Sequence, residues 1–134
     1  MDRRVLLVED EQFIRDIYKR QLEKAGIPTD DLAGGKEVLP TLRQKQYDLV
    51  LLDIMLPDLN GLEILRQMKQ DEALKDIPVI FLTNLGQEEV VKEGTVLGAV
   101  GYLVKSSYDP NQIVEEVKNV LASGTINTNP QSGQ

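Results

Sequence analysis

Unbroken apolar runs alternate along the chain with stretches whose apolar residues recur at helical spacing. Val5-Leu6-Leu7-Val8, Leu49-Val50-Leu51-Leu52 and Val79-Ile80-Phe81-Leu82 are such runs, and Tyr102-Leu103-Val104 is a shorter one. Continuous runs of strand length predict strands covered on both faces, as in a parallel sheet between two layers of helices. Ile14, Tyr18, Leu22 and Ala25 predict a first helix that Gly26 and Pro28 stop. Leu62, Leu65 and Met68 predict another, with Asn60 as its N-cap and Gly61 just inside it. Ile113, Val117, Val120 and Leu121 predict the last, opened by Asp109 as cap and Pro110 as first residue. Val38, Leu39 and Leu42 predict a helix within residues 36–46, but Pro40 falls inside it. An interior proline loses a hydrogen bond and clashes with the preceding turn, so this helix must begin late or bend. Residues 88–97 read as a poor helix, because Val90, Val91, Gly94 and Thr95 have low helix propensity.

The second strand is expected within residues 27–33. Its sequence, Ile27-Pro28-Thr29-Asp30-Asp31-Leu32-Ala33, is polar and starts beside a proline, which suits an edge strand. The order is then strand–helix repeated five times, an α/β pattern. It predicts a flavodoxin-like (βα)5 doubly wound parallel five-stranded sheet with strand order 2-1-3-4-5. Residues 1–122 form the expected domain. Residues 123–134 are rich in Ser, Gly, Asn, Thr, Pro and Gln and read as a disordered tail or a truncated linker.

Composition narrows the chemistry. The 134 residues carry 15 Lys+Arg against 22 Asp+Glu, a formal net charge of −7. That balance argues against a surface built to hold nucleic acid or anionic lipid. There is no Cys and no His, which excludes thiolate chemistry, the usual zinc ligands and the commonest general base. No apolar run approaches the roughly 20 residues of a membrane helix. The N-terminus lacks the shape of a signal peptide, so a cytoplasmic location is expected. Reactive groups must come from Asp, Glu, Lys, Ser, Thr, Tyr or the backbone.

In an open α/β sheet, ligands bind beyond the carboxyl ends of the strands where strand order reverses. In the predicted order that point lies between the first and third strands. Glu9 and Asp10 follow the first and Asp53 follows the third. Three carboxylates therefore converge. Two unit charges about 4 Å apart repel by roughly 4 kcal/mol at an effective dielectric of 20. A hard divalent cation relieves this, and Mg²⁺ suits a few carboxylates with room left for a phosphate. Thr83 ends the fourth strand and Lys105 follows the fifth, adding a hydroxyl and an ammonium to the same edge. Acids, metal, hydroxyl and ammonium are what phosphoryl transfer needs. Taken singly, each has a plainer reading. Asp10 could cap a helix, Glu9 could be a solvated loop acid, Asp53 could open a turn, Thr83 could be a cap and Lys105 a surface charge.

The pattern resembles the bacterial two-component response-regulator receiver domain. The matching segments are Val5-Leu6-Leu7-Val8-Glu9-Asp10-Glu11, Asp48 through Gly61, Pro78-Val79-Ile80-Phe81-Leu82-Thr83, and Leu97 through Lys105. Four motifs in order over residues 4–122 make the resemblance specific. It implies Asp53 as phosphoacceptor, with Mg²⁺ held by Glu9, Asp10, Asp53 and the Met55 backbone carbonyl. Thr83 would be the switch hydroxyl, Lys105 the partner of a phosphoryl oxygen, and Tyr102 the aromatic that changes rotamer. Tyr102 also reads simply as a half-buried strand aromatic. The implied donor is the phosphohistidine of a sensor histidine kinase or phosphotransfer protein, or a small phosphodonor. The implied output is a downstream protein target or a homodimer through residues 86–122; no DNA-binding motif follows the receiver-like region, and with the acidic balance this leaves no direct nucleic-acid or membrane contact expected of this chain. The resemblance implies self-phosphorylation and autodephosphorylation chemistry rather than turnover as an enzyme.

Three positions depart from the family pattern. Asn84 stands where a small residue is usual and is expected to alter phosphorylation or dephosphorylation rates. Ser106 stands where proline is usual, which leaves open the geometry of the Lys105–Ser106 peptide. Pro40 bears on shape. The competing readings are a haloacid-dehalogenase-like phosphotransferase, a nucleotide or flavin binder on the same fold, and a receiver-like domain that takes no phosphate. The first would want Asp-x-Asp after the first strand, where this chain has Glu9-Asp10-Glu11. The second would want a glycine- or Ser/Thr-rich loop there.

Overall fold

Each apolar run becomes a strand in the computed structural model, which describes residues 3–84 and 86–125. The strands are β1 (Val5–Val8), β2 (Thr29–Leu32), β3 (Leu49–Asp53), β4 (Val79–Thr83) and β5 (Gly101–Val104). They pair in parallel in the order β2-β1-β3-β4-β5, as the sequence predicts. Among the described residues an α-helix follows each strand: α1 (Gln12–Lys24), α2 (Val38–Gln44), α3 (Gly61–Lys69), α4 (Glu88–Leu97) and α5 (Pro110–Ser123). Residues 126–134, which hold most of the expected tail, lie outside the described residues.

The continuous apolar runs divide by parity between two cores. Leu6, Val8, Val50, Leu52, Val79 and Phe81 face α2 and α3, and Val90 and Leu97 of α4 pack against that side. Val5, Leu7, Leu49, Leu51, Ile80, Leu82 and Leu103 face Tyr18 and Leu22 of α1 and the buried residues of α5. Successive strand side chains point to opposite faces, so a strand covered on both sides must be apolar at every position. Fully burying such a side chain contributes roughly 1.5–3 kcal/mol.

Pro40 is accommodated by a late start. A 3-10 turn, Gly35–Glu37, precedes α2, and Pro40 is the third residue of the helix. There its missing N–H has no intrahelical acceptor to lose. Asn60 caps α3 by accepting from the Leu62 N–H at 2.7 Å. Asp109 and Gln112 form a reciprocal capping box at α5 with Pro110 in the first turn.

The polar β2 is an edge strand whose two aspartates clasp opposite layers. Asp30 accepts from Arg4 at 3.1 Å, Lys45 at 3.0 Å and the Tyr47 hydroxyl at 2.6 Å. Asp31 accepts from Arg15 at 3.1 Å and Lys19 at 3.2 Å on α1. Burial and the hydrogen bond to Asp30 push the Tyr47 phenol up to about 12 from its ordinary 10.0.

Gly94 explains why α4 accepts a poor helix former. A Cβ there would lie 2.6 Å from Phe81 Cε2, so glycine lets α4 approach the sheet.

Two measurements test this packing. Gly94→Ala gains about 1 kcal/mol of helix propensity but overpacks Phe81, which costs about 1–3 kcal/mol. The variant should be less stable than wild type to urea, and Phe81→Leu in the same chain should relieve the loss. An equally stable Gly94→Ala contradicts the close approach. Tyr47→Phe should lower stability at neutral pH by about 1 kcal/mol. Because the folded phenol titrates higher than the unfolded one, its contribution is complete below pH 10 and fades as pH rises toward 12. Wild type and Tyr47→Phe should therefore converge in thermal stability across that alkaline window.

Candidate functional site

The carboxyl ends of four strands deliver the functional side chains to one rim. β1 runs into Glu9, whose N–H donates to the Leu32 carbonyl of β2 at 3.1 Å. Glu9 is fully buried, and its Oε2 accepts from the Glu11 N–H at 3.0 Å. Asp10 is exposed and opens the site to solvent. The cap position of α1 is Glu11, whose side chain makes no capping bond, so the plainer reading of Asp10 as helix cap does not apply.

Asp53 is the last residue of β3 and is buried, with Oδ1 accepting from the Met55 N–H at 3.0 Å. The turn behind it is tight. The Gly61 N–H donates to the Ile54 carbonyl at 2.9 Å, and a Cβ at Gly61 would come within 2.9 Å of Asp53 O and Ile54 Cα. Asp58 pins the same turn to the loop before α2 by accepting from the Gly35 and Lys36 N–H groups at 2.9 and 3.1 Å. Those two donors hold the Asp58 carboxyl below its ordinary range.

Glu9, Asp10 and Asp53 each offer a carboxylate oxygen, and the three lie within 4.8 Å of one another. At that spacing each pair repels by about 3–4 kcal/mol at an effective dielectric of about 20. Lys105 answers part of this. Its ammonium is 2.7 Å from Glu9 Oε1 and 2.9 Å from Asp53 Oδ2, and its side chain is nearly buried. Burial raises the pKa of both Glu9 and Asp53, against the pull of Lys105. Burial alone would depress Lys105, but its contacts with Glu9 and Asp53 outweigh this and raise it. Three carboxylates against one ammonium leave two negative charges on oxygen ligands, which is the donor set a divalent hard cation requires.

Thr83 ends β4 beside Val104 of β5. It is buried, and among the described residues its Oγ1 has no hydrogen-bond partner, a rare state for a buried hydroxyl. Tyr102 is 45 % exposed. Thr83 and Tyr102 line the same largely apolar groove of about 580 Å³ between α4 and β5, together with Val91 and Thr95.

The departures find physical places. The Asn84 N–H donates to the Gln87 side chain at 2.8 Å, holding the turn before α4. The Lys105–Ser106 bond is trans, since no cis bond occurs among the described residues. Lys105 opens a 3-10 turn and still reaches both acids. Two neighbours of the site are not legible from local pattern. Tyr18 lines a groove of about 380 Å³ beside Lys105, and Arg15 donates to the Glu9 carbonyl at 2.8 Å. Both read simply as helix residues, because their roles depend on which strand end α1 packs beside.

Residues 5–118 match the response regulator receiver domain, and the chain belongs to that family. The general function of the family is to be phosphorylated by a kinase. The chain is 36 % identical over 117 residues to the phosphate regulon transcriptional regulatory protein PhoB of Pseudomonas aeruginosa, covering 87 % of this chain and 51 % of that protein. It thus spans about half the length of such relatives. Among solved structures, the chemotaxis response regulator CheY4 of Vibrio cholerae superposes with a TM-score of 0.82 at 28 % identity, over 90 % of this chain and 99 % of that one. The phosphorylated cyanobacterial phytochrome response regulator RcpA gives 0.82 at 27 %, over 96 % and 100 %. Among the described residues no helix is long and apolar enough to cross a membrane.

The unpartnered Thr83 hydroxyl yields a prediction. Thr83→Val keeps the shape and removes a buried polar atom that costs about 1–3 kcal/mol unpaired. Without any phosphodonor the variant should unfold at higher urea than wild type. A lower midpoint means that the hydroxyl is already satisfied.

Proposed function

We propose that Asp53 accepts a phosphoryl group from the phosphohistidine of a sensor histidine kinase or phosphotransfer protein, or from a small phosphodonor, with Mg²⁺ in attendance. The observation that carries this reading is the single ammonium of Lys105 bridging Glu9 and Asp53 at the rim, 2.7 and 2.9 Å away, with Asp10 beside them. Glu9, Asp10, Asp53 and the Met55 carbonyl would hold the ion. When bound, it neutralises charge on the phosphoryl oxygens during transfer.

The protein's own groups do the rest. An Asp53 carboxylate oxygen attacks phosphorus, the bond from phosphorus to the donor atom breaks, and its electron pair leaves with the donor. A carboxylate needs no general base at neutral pH, so the lack of His is no obstacle. Lys105 follows the charge from carboxylate to phosphoryl oxygen. Water later attacks phosphorus, releasing inorganic phosphate and restoring the Asp53 carboxylate. The phosphorylated state of RcpA, similar to this chain along almost its whole length, supports the reading.

Output follows from Thr83. Its unpartnered hydroxyl gains an acceptor when a phosphoryl oxygen arrives, and moving toward it frees space in the groove it shares with Tyr102. The surface of residues 86–122 then changes its fit to a downstream protein or to a second copy. Such coupling is typically about 1–3 kcal/mol. The net charge of −7 speaks against direct nucleic-acid contact by this segment. The dehalogenase-like and flavin-binding alternatives have no support from the family match.

Intact-mass measurement with acetyl phosphate and Mg²⁺ tests the proposal. Wild type should gain one phosphoryl group, and neither Asp53→Asn nor wild type in EDTA should gain any. An equal adduct on Asp53→Asn rejects Asp53 as the acceptor.

A further inference from the structure

We propose that Arg15 is a positioning residue that sets the Glu9–Asp10 turn for the divalent cation and uses edge strand β2 as its anchor. The inference rests on the Mg²⁺ reading above. Arg15 is the second polar residue of α1, after Gln12, and its side chain is only 15 % exposed. Its Nη1 donates to the Glu9 carbonyl at 2.8 Å while its Nε donates to Asp31 Oδ2 at 3.1 Å. The backbone of Glu9 is therefore tied to β2 twice. Its N–H is held directly by the Leu32 carbonyl, and its carbonyl is held through Arg15 by Asp31.

The two acids need this help unequally. The Glu9 side chain is fixed by Lys105 on one oxygen and by the Glu11 N–H on the other. The exposed Asp10 carboxylate enters none of the ion pairs found among the described residues. What fixes Asp10 is the peptide plane that precedes it. That plane contains the Glu9 carbonyl and is rigid, so holding the carbonyl oxygen orients the bond from which Asp10 departs. A guanidinium presents its N–H donors in a rigid planar fork that fixes the direction of both acceptors, whereas the ammonium of a shorter lysine is a point charge with no such fixed geometry. Lys19 contacts Asp31 as well, at 3.2 Å, but does not reach Glu9 through any contact seen here. Its removal loosens the same anchor without touching the turn.

Calorimetric titration of the full chain with Mg²⁺, alongside thermal unfolding in EDTA, tests the assignment. Partners that orient metal ligands typically change affinity 10–100-fold, and Arg15→Lys and Arg15→Met should each raise the Mg²⁺ dissociation constant about tenfold. Lys19→Met should leave it within about twofold while lowering the unfolding midpoint in EDTA about as much as Arg15→Lys. Asp31→Asn, which keeps Arg15 but frees its anchor, should weaken Mg²⁺ several-fold and serves if an Arg15 variant does not fold. Wild-type affinity in Arg15→Lys together with loss in Arg15→Met shows that charge alone matters and overturns the positioning role. An equal loss in Lys19→Met reduces the effect to general loosening of β2 and overturns it too. Asp10→Asn separates the two levels of the argument. If it binds Mg²⁺ as wild type does, the metal site itself falls. If it loses the ion while both Arg15 variants keep it, only the role of Arg15 falls.

Discussion

Repulsion among three carboxylates at one sheet rim is the constraint around which the rest is arranged. Glu9 and Asp53 are buried, which raises the cost of their charge, and Asp10 adds a third within 4.8 Å. Lys105 offsets one of those charges by lying between the two buried acids. The remaining imbalance favours whatever brings positive charge to the rim and makes the ammonium responsive to whatever negative charge arrives. A site that was fully neutralised by protein alone would have little reason to bind a cation or to register a phosphoryl group.

The scaffold keeps this strained arrangement in place from two sides. Behind Asp53, the Gly61 approach and the Asp58 contacts hold the β3–α3 turn tightly against the loop before α2. Beside Glu9, the edge strand supplies both a backbone acceptor and, through Asp31, an anchor for Arg15. The polarity of β2 is thus a structural resource. An edge strand has unpaired backbone on one side and solvent near both faces, so its side chains can carry ion pairs to neighbouring layers.

The opposite flank is built differently. α4 contains few strong helix formers, its approach to Phe81 depends on Gly94, and a groove separates it from β5. The buried Thr83 hydroxyl lines that groove without a hydrogen-bond partner among the described residues. In the proposed switch, the contacts on the β2 side hold the acid pair while the groove beside α4 leaves room for rearrangement toward residues 86–122.

Much of this was legible in the residues alone. Strands covered on both faces must be apolar at every position, so Val5–Val8, Leu49–Leu52 and Val79–Leu82 announced a parallel sheet, and the polar Thr29–Leu32 announced its edge. Strand order then brought Glu9, Asp10, Asp53, Thr83 and Lys105 to one rim, because ends of neighbouring parallel strands lie side by side. What local pattern could not carry was which atom meets which. That Lys105 bridges Glu9 and Asp53, that Gly94 makes room for Phe81 and that Arg15 reaches the Glu9 carbonyl all join residues on different elements, and that Thr83 has no partner among the described residues depends on all of its neighbours at once. Periodicity reports which face of an element is buried, whereas these contacts depend on how helices seat against the sheet, and only the tertiary structure decides that.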